Sequence, residues 1–200
     1  MEPRQDRGDG DLLPPERAVV ARAVPKRRNE FGTVRWCART ALARLGVPPV
    51  PLLPGERGAP RWPDGIVGSM THCDGYRAAA VAAAREVRTV GIDAEPAAPL
   101  PAGILEAIAL PAEAAMVARL AAGDPAVHWD RLLFSAKESV YKAWFPVAGT
   151  FLEFHQAHLT FDPAGGFSAA LLVPGPFRRF DGRWSQAGGI VLTAITVPAL

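Results

Sequence analysis

Three prolines in six residues, Pro96-Ala97-Ala98-Pro99-Leu100-Pro101, interrupt this 200-residue chain near its middle. Proline fixes φ and lacks an N–H, so neither a helix interior nor a central strand tolerates such a segment. The fold must be assembled from the two stretches it separates. We set the division at 1–97 and 98–200, an N-terminal and a C-terminal lobe.

The stretches read alike. In the first, residues 1–15 form a loose leader ending at Pro14-Pro15, and 16–24 are short and apolar. From Asn29 to Gly46, Phe31, Val34, Ala38, Leu42 and Leu45 recur at three- and four-residue steps, which predicts a helix that Gly46 stops. Residues 47–65 are a long loop rich in proline and glycine, of the kind usually functional or disordered. Strands follow at 66–72, 76–84 and 87–95, with Arg85-Glu86 as a tight turn. In the second stretch, 102–122 is interrupted helix, and Trp129 to Phe145 is a stronger helix ended by Pro146. HLTFD (158–162), FSAALLV (167–173) and GGIVLTAITV (188–197) read as strands. Helix first and strands after, twice, points to a pseudo-duplicated α+β protein, although no direct sequence repeat links the halves.

Composition removes several classes. Hydrophobic residues are 49% and charged residues 21%, enough apolar surface for a packed core. No apolar run reaches the ~20 residues that span a bilayer, and Met1 to Asp11 lacks the apolar stretch of a secretory signal. Cys37 and Cys73 make neither a disulfide framework nor a zinc site. The expectation is a cytoplasmic protein with reduced thiols, and no membrane partner.

Three groups of residues carry chemistry. Asp93 and Glu95, two apart on a strand, point to one face. They are either a solvated strand end or a hard-oxygen pair suited to Mg²⁺ beside substrate phosphates. In FSAKESVYKAW (134–144), Ser135 and Glu138 have capping-box spacing, and Glu138 and Lys142 that of a surface ion pair. The same residues also suit an active site. The chain has 19 arginines and only three lysines, Lys26, Lys137 and Lys142, yet puts two of the three on this helix. A lysine is a compact point charge toward phosphate, where arginine offers a planar fork.

The third group is basic. Residues 17–44 hold eight Arg or Lys and one acid, and Arg28, Arg35 and Arg39 fall almost on one helical stripe. Arg57 and Arg61 in the loop add to it. Ser69, Thr71 and His72 lie beside it. The stripe is either a solvated face or a phosphate cradle. A net charge of +2 argues against a nucleic-acid binder. The sequence contains neither a P-loop nor a GxGxxG fingerprint. Together the groups describe a metal-dependent site for a polyphosphorylated ligand.

GSMTH (68–72), GIDAE (91–95) and FSAKESVYK (134–142) resemble, in order, the three motifs of the Sfp-type 4′-phosphopantetheinyl transferases. The flanking KRRNEFGTVRWCARTALARLG (26–46) and WPDGIVGSMTHCDGY (62–76) resemble the EntD-like branch, among actinobacterial PptT-like enzymes. The resemblance covers about residues 25–155.

It implies a monomer of two similar α+β lobes with coenzyme A (CoA) in the cleft between them. It implies Mg²⁺, or Mn²⁺, and transfer of 4′-phosphopantetheine to a serine of an acyl, peptidyl or aryl carrier protein. The pathways served would be fatty-acid, polyketide, nonribosomal-peptide or siderophore assembly. Carried over residue by residue, Asp93, Glu95 and Glu138 are the expected metal ligands, and Glu138 the base. Lys142, assisted by Lys137, meets the pyrophosphate. Arg27, Arg28, Arg35, Arg57 and His72 hold CoA phosphates, with Ser69 and Thr71 as neighbours, and Leu152 lies near the pantetheine arm. Pro54 departs from relatives that carry lysine there. The alternative expectation is a non-catalytic relative that binds CoA or a carrier; this chain keeps all three carboxylates and the motif lysine.

Overall fold

A computed structural model describes residues 10–199, and the first nine residues of the expected leader lie outside them. Leu12 is buried with Val20 and Phe31, so the end of the leader is packed rather than loose. The short helix α1 (Pro14–Val19) starts on a proline, whose missing N–H is no loss at that position. So does α2 (Pro25–Arg44), which begins four residues before the expected Asn29. Its Phe31, Val34, Ala38 and Leu42 are buried as the periodicity requires, whereas Leu45 lies past the helix end and is exposed. The strands β1 (Ile66–Cys73) and β2 (Tyr76–Ala83) form an antiparallel hairpin against α2.

The second layer is a five-stranded antiparallel sheet in the order β3-β7-β6-β5-β4. It comprises β3 (Val87–Pro96), β4 (Ala157–Asp162), β5 (Gly166–Leu171), β6 (Arg179–Ala187) and β7 (Ile190–Pro198). The helices α3 (Ile104–Ile108), α4 (Pro111–Gly123) and α5 (Trp129–Ala148) accompany it, and α5 lies across β3 and β7. β3 stands before the proline break but pairs with β7 along its length, so the sheet crosses the expected 97/98 division.

Two readings are corrected. α5 runs through Pro146 to Ala148, because a proline in the last turn forfeits only one bond, and Gly149 N–H closes on Phe145 O at 2.9 Å. β6 was not expected as a strand. Its face toward the core carries only Phe180 fully buried, and the alternating Arg179, Asp181 and Arg183 disguise it as loop.

The duplication has a chemical signature. Leu13-Pro14-Pro15-Glu16 opens α1 and Leu110-Pro111-Ala112-Glu113 opens α4. Both glutamates are fully buried. Glu16 accepts the N–H of Leu13, the N–H of Leu52 beyond α2, and Arg39 of α2. Glu113 accepts the N–H of Leu110, the N–H of Leu159 beyond α5, and Lys137 of α5. In each half, one carboxylate ties a helix start, a long helix and the following segment together. This is the α+β architecture of two pseudo-duplicated lobes.

Candidate active site

The site forms where β1, β3 and α5 meet. α5 approaches β3 closely because residue 91 has no side chain: a Cβ there would strike the Ser139 carbonyl oxygen and the Ala143 backbone. Thr89 Oγ1 donates to Ala143 O at 2.7 Å and Thr193 Oγ1 to Ser135 O at 3.0 Å, locking the helix to the sheet. Ser135 is therefore mid-helix, bonded to Thr193, and does not cap α5. Glu138 and Lys142 then stand over Gly91, Asp93 and Glu95.

On its other edge β3 meets β1 through side chains. In a strand, alternate N–H groups aim at opposite edges. Those of Ile92 and Ala94 reach the hydroxyls of Ser69 (3.1 Å) and Thr71 (3.0 Å). Ser69 and Thr71 are buried, so their hydroxyls serve as the seam between the halves rather than as ligand contacts. Thr71 Oγ1 also donates to Asp93 Oδ1 at 3.2 Å. Gly68 is backbone-tight: a Cβ would lie 2.6 Å from Ala80 O.

Asp93 is buried, and its Oδ1 also accepts Lys142 Nζ at 2.6 Å. Its Oδ2 is buried with no hydrogen-bond partner, a costly arrangement that a cation or donor in the cleft relieves. Glu95 Oε2 takes Arg131 Nη1 at 3.1 Å. Burial first, then the neighbouring Asp93, push its carboxyl above the usual range. Glu138 is pushed up by burial as well; Lys142 opposes the shift and Asp93 adds to it. Asp93, with its open buried oxygen, and its neighbour Glu95 are a pair of hard-oxygen donors, and one or two carboxylates beside substrate phosphates suit a divalent cation such as Mg²⁺. Among the described residues no three such side chains stand close enough to hold a metal together. Here Lys142 and Arg131 are the cations that offset Asp93 and Glu95.

Glu138 also lines a cleft of about 370 Å³ with Tyr141, Phe151, Leu152, Phe154 and His155. The structure thus brings Leu152 and Glu138 to one cleft. On the opposite side Arg27 Nη1 lies 2.7 Å from His72 Nε2, so the bond requires a neutral ring accepting at Nε2. Partial enclosure, then the Arg27 charge, hold the imidazole pKa below its ordinary value.

Other expected residues are occupied elsewhere. Arg35 is buried, donates to Leu52 O at 2.9 Å and stacks on Phe31; burial lowers its pKa to about 10. Arg28 donates back to Ala23 O at 3.1 Å. Arg39 is bound by Glu16, which breaks up the expected stripe. Lys137 is the sharpest correction. Its ammonium is buried against Glu113 at 2.9 Å and donates to Phe154 O and Ala157 O, so all three of its donors are used away from the cleft. Sequence reasoning missed Arg131, which also holds Ala98 O and Pro99 O of the proline break. Its signal was its place two turns before Glu138. Tyr141 and Phe151 were missed because apolar spacing alone does not separate cleft from core.

Residues 15–82 match the model of the 4′-phosphopantetheinyl transferase N-terminal domain, and residues 89–194 that of the 4′-phosphopantetheinyl transferase superfamily. The chain belongs to the 4′-phosphopantetheinyl transferases. It is 62% identical over 195 residues to the 4′-phosphopantetheinyl transferase Svp of Streptomyces mobaraensis, covering 94% of this chain and 79% of that protein. Against the 4′-phosphopantetheinyl transferase PptT of Mycobacterium tuberculosis it is 53% identical over 196 residues, 92% of this chain and 86% of the relative. Enterobactin synthase component D of Salmonella typhi is 32% identical over 189 residues, 86% and 72% of the two chains. The two family matches meet between β2 and β3, where the hydrogen bonding also changes from hairpin to sheet.

Proposed function

We propose that this phosphopantetheinyl transferase moves 4′-phosphopantetheine from CoA to a serine hydroxyl of an apo acyl, peptidyl or aryl carrier protein, releasing adenosine 3′,5′-bisphosphate. The observation that carries the reading is that Glu138, within electrostatic reach of the Asp93–Lys142 pair, lines an apolar cleft together with Leu152. The carboxylate cluster suits the pyrophosphate end of CoA, and the cleft suits the pantetheine arm.

The chemistry is a displacement at phosphorus. The serine oxygen forms a bond to the β-phosphorus, the bond to the bridging pyrophosphate oxygen breaks, and the leaving oxygen keeps the electron pair. Glu138 takes the serine proton. Its raised pKa makes it a stronger base than an exposed carboxylate, closer to neutrality where acid–base catalysis is efficient. Lys142 donates to the pyrophosphate oxygens, turning from Asp93. Asp93, Glu95 and Glu138 would hold Mg²⁺ or Mn²⁺, which when bound neutralises pyrophosphate charge. Thr71 fixes the Asp93 rotamer. Arg27 and His72, a contacting pair within electrostatic reach of Lys142, meet the 3′-phosphate, fixing the nucleotide so that the reacting end is aligned.

Cys37 and Cys73 are free thiols, in keeping with the cytoplasm. Among the described residues no helix is long and apolar enough to cross a membrane.

The test is mass spectrometry of apo carrier proteins incubated with the protein, CoA and Mg²⁺. Gain of a phosphopantetheine mass on the carrier serine is expected. Absence of gain across fatty-acid, polyketide and peptide carriers, with CoA still binding, would identify a non-catalytic CoA-binding relative. Glu138→Gln should bind CoA and lose turnover.

A further inference from the structure

Arg57 has φ +50°, the single left-handed backbone among non-glycine described residues. It sits in a tight loop closed by Gly55 N–H to Ala59 O (2.6 Å) and Ala59 N–H to Glu56 O (3.0 Å), with Pro54 bridged to Pro60. Such a conformation costs free energy in a residue with a Cβ and persists when its surroundings hold it. From the segment after α5, the ring of Phe151 lies with its centroid 5.1 Å from the guanidinium carbon. Phe151 is 51% exposed, unusual for a phenylalanine outside the core clusters, and its edge packs on Tyr141 at 5.2 Å. It also lines the cleft beside Glu138. Tyr141, which packs on Phe151, lines the same cleft.

We propose that Phe151 is a positioning residue that presents Arg57 to the nucleotide end of CoA. This rests on the reading of Arg57 as a CoA phosphate contact. Stacking on an aromatic ring occupies the face of a guanidinium and leaves its in-plane N–H groups pointing outward, where they meet phosphate bidentately. The contact thus orders the side chain without competing for its donors. It also joins the N-terminal half to a residue that lines the cleft with Glu138, so the arginine is fixed relative to that cleft rather than to its own loop alone.

The experiment measures KM for CoA, kcat, and CoA binding by calorimetry for the wild type, Phe151→Ala, Phe151→Trp, Arg57→Ala and the double alanine variant. Phe151→Ala should raise KM and Kd for CoA about 2- to 5-fold, the worth of an exposed cation–π contact, with kcat within twofold. Phe151→Trp should restore them. In the Arg57→Ala background, Phe151→Ala should add nothing. If Phe151→Ala has the same effect in both backgrounds, the ring acts on the pantetheine arm alone, and the proposal is overturned while Arg57 keeps its CoA role. If Arg57→Ala leaves CoA binding unchanged, the underlying reading of Arg57 fails, and the proposal with it.

Discussion

Lys137 and Lys142 are one and a half turns apart on α5, and the same sequence motif holds both. The structure gives them opposite jobs, which a pair of substitutions separates. Lys137→Ala removes a buried ammonium that pairs with fully buried Glu113 and satisfies two carbonyls. Leaving one partner of a buried pair uncompensated costs about 3–5 kcal/mol. For a domain of this size each kcal/mol lowers the melting temperature by about 2–4 °C, so a fall of roughly 6–20 °C is expected. Adding Glu113→Gln to Lys137→Met should recover only part of the loss. The glutamine keeps one carbonyl for two N–H groups, those of Leu110 and Leu159. Lys142→Ala removes a half-exposed ammonium at the cleft. With Thr71 still donating to Asp93, it should lower melting less than Lys137→Ala does and cut kcat by about 10²–10³, the usual worth of one charge-stabilising donor. Thermal and urea unfolding by circular dichroism, with turnover measured below the melting range, reads both. Lys137→Ala melting within about 2 °C of wild type while losing turnover would refute the assignment and return Lys137 to the pyrophosphate.

Thr71→Val keeps shape but deletes the hydroxyl between Asp93 and the Ala94 N–H. It should weaken Mn²⁺ binding, read by electron paramagnetic resonance, and lower activity about 10- to 100-fold, with Thr71→Ser largely unaffected. Gly91→Ala should lower stability by about 1–3 kcal/mol or more and lower turnover with it, because α5 must lift from β3; unchanged melting would refute the close-approach argument. Burial and the nearby Glu95 and Asp93 push the Cys73 thiol up to about 11 from 9.0. At pH 8 it should alkylate roughly 100-fold more slowly than an ordinary thiol on thiolate fraction alone, accelerating about tenfold per pH unit. The sign for folding follows: the folded state retains the proton longer, so this group's contribution to stability falls as pH rises from about 9 to about 11.

The elements that sequence periodicity marked strongly were the ones the structure kept. The apolar ladder of α2 and the strands of GSMTH and GIDAE stand within a residue or a few of their expected bounds, because burial of one face leaves a visible period. The common face of Asp93 and Glu95 was legible for the same reason. What was illegible is partner choice. Arg35, Arg39 and Lys137 look in sequence like the cations of a phosphate site, and each is instead consumed inside the fold by a carbonyl or a buried glutamate. Spacing states which face a charge lies on and not what waits opposite. Glu16 and Glu113 were missed for the converse reason, since an acid near a helix start usually faces solvent.

Those two glutamates explain why the site sits where it does. In each half, L-P-x-E commits a carboxylate, a long helix and a following backbone N–H to a closed buried hub. The hubs neutralise one cation each, Arg39 and Lys137. The seam between halves has no such hub. It is made by Ser69 and Thr71 reaching sideways to β3, a strand that comes from before the proline break yet pairs after it. There charges remain with capacity to spare: the open Oδ2 of Asp93, and Lys142, which holds one carboxylate oxygen. A duplicated fold satisfies its polar groups within each copy, so the groups left for a ligand collect where the copies meet. Loosening the seam through Thr71 should therefore cost activity out of proportion to stability, while loosening a hub through Lys137 should do the reverse.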